Sequence, residues 1–174
     1  MKKNLFLWQF AGFVAAVALG SLLHFLFTWT EAFSLAPISA VNESTWEHMK
    51  ILFFPMLIFA CVQYRFFYND FSGFWWIKLI GTVVGVAAIP VIFYTCNGAF
   101  GKTPDWLNIT FFFLSAAIGY FVEYLLFNQD FTLRYPWLAF TLLLAVETLF
   151  VIFTFYPLRL PLFQDPVTTL YGIV

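Results

Sequence analysis

Five long apolar stretches constrain what this chain can fold into. Each holds about twenty mostly apolar residues, the length that an α-helix needs to cross the hydrocarbon layer of a bilayer. The predicted spanning helices cover about residues 5–29, 45–68, 74–94, 108–127 and 135–156. The predicted fold class is therefore all-α, an integral membrane bundle of about five transmembrane helices in which residues 1–174 form a single transmembrane domain.

The composition agrees with lipid as the main solvent of the chain. Hydrophobic residues make up 63% and charged residues 10% of the sequence, against about 45–50% and about 25% in soluble domains. The net charge of −1 gives no basic footprint for nucleic acid. The sequence also lacks a glycine-rich phosphate loop and the HExxH and GxSxG motifs of soluble hydrolases. These features predict a multi-pass protein of the cell membrane whose first partner is the lipid bilayer.

The distribution of Lys and Arg predicts the orientation of the bundle. With a cytoplasmic N-terminus, five of the basic residues lie on the cytoplasmic side and three lie outside. The inner set is Lys2, Lys3, Arg65, Lys78 and Arg134, and the outer set is Lys50, Lys102 and Arg159. We therefore expect an odd number of helices to place the C-terminus outside.

Both ends of the chain carry further expectations. The apolar run that follows Met1 is longer than the core of a signal peptide, so we expect it to be retained as a helix. The tail, residues 157–174, is too short and too rich in Pro to cross again. We expect an amphipathic outer segment that lies at the interface or folds over the bundle mouth. Asp165 and Pro166 predict the start of a short helix that Gly172 ends.

The stretch from Asn42 to Lys50 carries the most chemical information. It combines two carboxylates, an imidazole and an ammonium group where the second helix enters the membrane. By helical rise, His24 shares a depth band with Glu47 and His48, and zinc prefers imidazole and carboxylate ligands. His24, Glu47 and His48 are therefore the candidate ligands of a divalent metal. Glu47 and His48 are adjacent, however, and point about 100° apart on a helix.

A structural interpretation of the same stretch remains open. Ser44 and Glu47 match the reciprocal capping box, in which each side chain caps a backbone N–H of the other residue. Lys50 could extend to the interface. Capping does not account for Glu43, His48 and His24 together. Asn42 and Glu43, with Tyr94 and Asn97 at the same level of the third helix, are therefore candidate ligand- or ion-binding residues of an outward-facing polar vestibule.

Glu147 is a further candidate, because it lies near the middle of the fifth helix among aliphatic residues. An ionised carboxylate there costs about 2.5–3.5 kcal/mol on insertion scales, so such residues face the bundle interior and are functional candidates. We expect Thr141 and Thr154 to keep that face polar. Glu123 is predicted to be structural or interfacial, with Arg134 as a possible partner.

Small residues and prolines inside the helices predict how the helices pack. Gly81 and Gly85 form a GxxxG motif, and Ser115 and Gly119 form its small-residue equivalent. Both motifs predict close helix contacts. Pro55 and Pro90 lie inside helices, where each removes one backbone hydrogen bond and frees a carbonyl.

The motif N-E-S-x-W-E-H-x-K at Asn42–Lys50 also carries a resemblance, together with the tail from Pro161 to Thr168 and Tyr171–Gly172. The chain resembles an uncharacterised family of small multi-pass bacterial membrane proteins, a domain of unknown function. The resemblance covers nearly the whole chain. It implies a membrane location and brings no assigned activity, cofactor or site residue.

Three functions remain open on these grounds. The first is small-molecule or ion binding and transport, with an outer vestibule and a midplane carboxylate at Glu147. The second is a metal-dependent intramembrane hydrolase. The third is a non-catalytic subunit that binds a membrane protein partner or a second copy of the chain. The sequence does not decide whether the protein is an enzyme.

Overall fold

The computed structural model describes residues 4–173 and contains five long helices in that range. They are α1 (Leu5–Thr30), α2 (Thr45–Phe67), α3 (Phe74–Phe100), α4 (Asp105–Asn128) and α5 (Pro136–Phe155). Short 3-10 helices cover Phe33–Leu35 and Pro161–Phe163, and residues 4–173 contain no strand. All five helices are long and apolar enough to cross a membrane. The all-α, five-helix prediction is confirmed.

Helix α2 is the centre of the bundle. It contacts α1, α3 and α5, and every residue from Lys50 to Leu57 is buried. The other four helices present large apolar side chains on their outer faces, among them Phe10, Leu114 and Leu149. Since lipid tails are apolar, these outer faces need no polar cover. The connections after α2, α3 and α4 hold four to seven residues, and the longer connection after α1 folds back on Leu23 of that helix. Successive helices therefore run antiparallel, and the bundle has two ends.

Helices α3 and α4 approach each other through the small residues named above. A β-carbon on Gly85 would lie 3.1 Å from the Cα of Gly119, and one on Gly119 would lie 2.9 Å from the carbonyl oxygen of Gly81. The close contact that the two motifs predicted is therefore present. Ser115 is fully buried on the same face.

Gly119→Leu is expected to separate α3 and α4, because the new side chain meets backbone atoms that cannot move aside. Overpacking of this kind costs about 1–3 kcal/mol. Thermal unfolding in mild detergent, followed by circular dichroism, should show a lower midpoint. Gly98→Leu is the matched control, because a β-carbon on Gly98 has no heavy atom within 4 Å. Equal midpoints for both variants would contradict the contact.

The two prolines inside helices, Pro55 and Pro90, end neither α2 nor α3. Helix α3 continues past Pro90 and past the predicted end at about residue 94 to Phe100, where Gly101 adopts a φ of 81°. In α2 the carbonyl that Pro55 frees, that of Ile51, lies 2.9 Å from where a β-carbon on Gly20 would stand. Gly20 therefore lets α1 pack directly on this carbonyl.

The tail folds back over one end of the bundle. Phe163 packs on Trp46 with ring centroids 4.7 Å apart. The expected short helix at Asp165 does not form. Instead the Asp165 carboxylate accepts hydrogen bonds from the Val167 backbone N–H and the Thr168 hydroxyl. These bonds close a tight turn, so Asp165 stabilises a turn and does not cap a helix.

Candidate metal-binding site

Two imidazoles and one carboxylate meet at one end of the bundle. We call His24, Glu43 and His48 the His–Glu site. His24 lies near the end of α1, Glu43 in the connection before α2, and His48 in the first turn of α2. One ligand atom from each residue lies within 4.8 Å of the other two. Oε2 of Glu43 is 3.4 Å from Nε2 of His24 and 3.7 Å from Nε2 of His48.

The backbone before α2 places Glu43 between the two histidines. The Ala40 backbone N–H donates to the carbonyl of Leu23, next to His24, and so fixes the connection against α1. The Asn42 side chain accepts from the Ser44 N–H at 2.8 Å. Ser44 accepts from the Glu47 N–H and is the N-cap of α2. The helix start therefore holds His48 at a fixed distance from Glu43.

His48 has one ring nitrogen directed by the helix and the other available to a ligand. Its Nδ1 lies 2.9 Å from the carbonyl of Ser44, so this nitrogen carries the proton and donates. Nε2 is then the ring nitrogen that faces Glu43 and is left for a ligand. A hydrogen bond from the other ring nitrogen to a backbone carbonyl is the usual way in which a metal-binding imidazole is oriented.

The two imidazoles also favour the ionised form of Glu43. The hydrogen bond from His24 lowers the pKa of this carboxyl below its ordinary value, burial opposes the shift, and charges on His24 and His48 add to it. Because the Glu43 side chain is about half exposed at 49%, the site opens to the surroundings of the bundle. A cation can therefore approach it without unfolding the helices.

The distances from Glu43 to the two histidines match those between ligands of a tetrahedral metal. Zinc bound at about 2.0–2.1 Å needs ligand atoms about 3.3 Å apart. The two distances to Glu43, 3.4 and 3.7 Å, are close to this value, and the ring centroids of His24 and His48 are 5.1 Å apart. Two histidines and one carboxylate are a ligand set that zinc uses when a fourth position stays open.

Glu47 lies outside this set, although the sequence placed it among the ligands. Its carboxylate faces α5: Oε2 is 2.6 Å from Nζ of Lys50, and Oε1 accepts from the Thr154 hydroxyl at 3.1 Å. The Val41 backbone N–H also donates to Glu47, at 3.1 Å. Glu47 therefore does not complete the capping box, and Asn42 takes the Ser44 N–H instead. Glu43 occupies the place expected for Glu47.

Lys50 does not extend to the interface, because its side chain is completely buried. Besides Glu47, it donates to the carbonyl of Ala36 at 2.9 Å and to the Thr154 hydroxyl at 2.7 Å. We call Glu47, Lys50 and Thr154 the Lys50 cluster. It joins α2, α5 and the connection that carries Glu43.

The other candidate residues do not form one vestibule. Asn42 donates to the carbonyl of Gly172 and holds the tail. Asn97 accepts from Thr103 and donates to Phe93, so its amide stabilises the α3–α4 connection. The Tyr94 hydroxyl accepts from Thr45 at 3.5 Å. Tyr94 thereby contacts the first turn of α2.

Glu147 lies half-buried on the face of α5 that also carries Leu143 and Thr154. It is therefore directed toward the bundle, though at a different depth from the His–Glu site. Thr141 is exposed and bonds to the carbonyl of Trp137. Thr141 therefore does not extend the polar face as expected.

A second buried ion pair was not anticipated from the sequence. Nζ of Lys78 on α3 lies 2.5 Å from Oε2 of Glu123 on α4, and both side chains are 1% exposed. Glu123 therefore pairs with Lys78 and not with Arg134. Lys78 lies about one turn after the start of α3, and Glu123 lies about one turn before the end of α4. In adjacent antiparallel helices these two positions are at the same depth, and this was the sequence signal that could have predicted the pair.

Comparison with known proteins identifies a family and no activity. The model of a family described as "Family of unknown function (DUF6512)" matches residues 1–173, so the chain belongs to that family. No curated protein and no solved structure matches the chain.

Proposed function

We propose that this member of the DUF6512 family binds a divalent transition metal ion at the His–Glu site, within a single transmembrane domain in the cell membrane. The observation that carries the proposal is the convergence of His24, Glu43 and His48 from three separate segments. A helix cap alone would not bring the two imidazoles onto one carboxylate oxygen. Zinc is the metal whose ligand preferences agree best with this set.

Metal content is the direct test of this proposal. Wild-type protein purified in mild detergent without chelator is expected to contain one equivalent of metal by elemental mass spectrometry. His24→Ala, Glu43→Gln and His48→Ala should each lose it, because zinc sites in proteins use three or four protein ligands and each variant leaves two. Asp105→Asn, an exposed acid at the start of α4 on the same end of the bundle, is the control that should keep the metal.

The outcome that would contradict the proposal is equally clear. If wild-type protein contains no metal and does not bind added zinc in isothermal titration calorimetry, the His–Glu site is a polar helix start without a metal. Circular dichroism of each variant must show an intact fold, so that loss of metal is not loss of structure.

Metal affinity is expected to fall on acidification, because protons compete for the imidazole nitrogens. The pKa of Glu43 is lowered, so its carboxylate remains ionised below the ordinary range for glutamate. The loss should therefore follow protonation of the imidazoles, with little further contribution from Glu43. Zinc titrations between pH 5 and pH 8 would measure this. Zinc binding that does not weaken between pH 8 and pH 5 would contradict the prediction.

The role that the metal serves has two candidates. Ion transport is supported by the half-exposed Glu43 at the end of the bundle and by Glu147 within the membrane layer, and uptake of zinc into proteoliposomes would test it. A metal-dependent hydrolase is supported by the open fourth position, where a bound water would become acidic. Chelator-sensitive hydrolysis of ester substrates in mixed micelles would test the enzyme.

Orientation is part of the same proposal. Lys50 and Lys78 are buried in ion pairs, and without them four basic residues remain on the predicted inner side and two outside. The remaining bias still favours a cytoplasmic N-terminus and an external His–Glu site. Labelling of a single cysteine introduced at Lys102 with a membrane-impermeant reagent, in an otherwise cysteine-free chain, would measure the orientation.

A further inference from the structure

A second set of polar side chains lies at the end of the bundle opposite the His–Glu site. It contains Lys78 and Glu123 with three uncharged residues, Gln9, Gln63 and Tyr120, and we call these five the Lys78 cluster. By helical rise, Gln9, Gln63, Lys78 and Glu123 each lie about 6–8 Å from the same end of their helices. Four helices therefore each contribute a buried polar side chain at one depth.

Shared aromatic neighbours bring these residues together. Nζ of Lys78 lies 5.7 Å from the ring centre of Phe59 and 5.5 Å from that of Tyr120. Gln63 is one helical turn from Phe59, on the same face of α2. Gln9 is one turn from Gly12, where an added β-carbon would meet the rings of both Phe59 and Tyr120. The Lys78 cluster is thus one interior region and not a set of separate side chains.

The hydrogen-bonding groups of this region are not satisfied by the protein. Both amide atoms of Gln9, both of Gln63 and the hydroxyl of Tyr120 are buried with no partner among the described residues. Lys78 has three N–H donors, and Glu123 is the side-chain acceptor that they reach. An unpaired buried polar group costs about 1–3 kcal/mol, so several together predict a partner that the protein itself does not provide.

We propose that the Lys78 cluster is an internal hydrated site that binds water molecules. Water is small, neutral, and both donates and accepts, which matches the mixture of amide N–H, amide carbonyl, hydroxyl and ammonium groups. A bound cation would be repelled by Lys78, and a bound anion by Glu123. Buried waters in proteins make about three hydrogen bonds each to groups of this kind. The proposal is independent of whether the His–Glu site binds metal.

Radiolytic hydroxyl-radical labelling tests the proposal, because radicals form from water at the place where water is bound. Phe127 lies beside Lys78, with Nζ 5.9 Å from its ring centre, and is only 1% exposed. Its oxidation rate, measured by mass spectrometry, is expected to exceed severalfold the rates of Phe53 and Phe150. These two are the matched controls, since each is also 1% exposed and lies in the apolar core. Rates for Phe127 no higher than for the controls would overturn the proposal.

A stability measurement provides the second arm. In a hydrated site Gln63→Leu removes hydrogen bonds to water, and the midpoint of thermal unfolding should fall. In a dry site the same change removes an unpaired amide, and the midpoint should rise. The Gln9→Leu, Gln63→Leu double variant should also reduce the labelling of Phe127 toward the control rates. A rise in the midpoint, or unchanged labelling, would show that the region is dry.

Discussion

Lys50→Met is expected to be among the most destabilising single substitutions in this protein. The change leaves the Glu47 carboxylate buried without its cation, and it removes the bonds from Lys50 to Ala36 and Thr154. Removal of one partner of a buried ion pair costs about 3–5 kcal/mol. Thermal unfolding in mild detergent should therefore show a large drop in the midpoint, together with weaker zinc binding, because the connection that carries Glu43 loses its bond from Lys50 to Ala36.

A double variant separates the charge from the packing. Lys50→Met combined with Glu47→Gln should recover much of the loss, because no unpaired charge remains and the amide oxygen still accepts from Val41. Lys102→Met, at an exposed lysine of the same end, is the control and should be close to wild type. If the single and double variants unfold at the same temperature, the pair contributes through packing alone, and the electrostatic argument is wrong.

Much of the fold could be predicted from the sequence, because in lipid the constraint acts on long segments. A span must be apolar over about twenty residues, and the five stretches satisfy this condition without reference to one another. The contact of α3 with α4 could also be predicted, because Gly81, Gly85 and Gly119 have no side chains to keep the two helices apart. The end of α3 was harder to predict from the sequence, because Pro90 weakens a helix without ending it.

The His–Glu site could be predicted only in part from the sequence. The sequence brought His24 and His48 to one depth, but two carboxylates, Glu43 and Glu47, lie within the same nine residues. The choice between them depends on Thr154, more than a hundred residues away, which accepts from Lys50 and donates to Glu47. Local spacing contains no information on that contact. The angle of about 100° between adjacent helical residues was the one local indication that Glu47 and His48 face different ways.

The sequence did not reveal the Lys78 cluster, because its members meet only through contacts between helices. Lys78 and Glu123 each lie near a helix end, where a charged side chain normally extends to the interface. Only the pairing of α3 with α4 shows that the two side chains meet inside the bundle. Gln9 and Gln63 carry no charge, and each is a single polar residue within a largely apolar segment. The hydropathy pattern of the sequence therefore does not mark them as functional candidates.

The two polar ends bear on the transport hypothesis. His48 and Gln63 are separated by fifteen positions of α2, or about 22 Å of helical rise. Between them α2 contributes Phe53, Phe54, Met56 and Leu57 to a closely packed apolar core. No polar chain of buried residues joins the two ends within the described part of α2. Passage of an ion would therefore require the helices to move, with Glu147 as the carboxylate nearest the middle of the layer.

The Lys78–Glu123 pair is expected to stabilise its end of the bundle as strongly as Lys50 stabilises the end that carries the His–Glu site. Lys78→Met leaves Glu123 buried, and Glu123→Gln leaves the Lys78 ammonium surrounded by aromatic rings, among them Phe74 and Phe127. Each single variant should lose about 3–5 kcal/mol of unfolding free energy. Arg134→Met is the matched control, because Arg134 is exposed at the same end and does not pair with Glu123.

The double variant, Lys78→Met with Glu123→Gln, decides what the pair contributes. Replacement of both partners removes the unpaired charge, and the Met side chain packs well against aromatic rings, so stability should return toward wild type. Unfolding by denaturant in mixed micelles would give the coupling energy from a double-mutant cycle. A coupling energy near zero would mean that the two charges act independently in spite of their contact. A large coupling energy, with metal content unchanged in all variants, would show that the ion pair and the His–Glu site stabilise the two ends of the bundle separately.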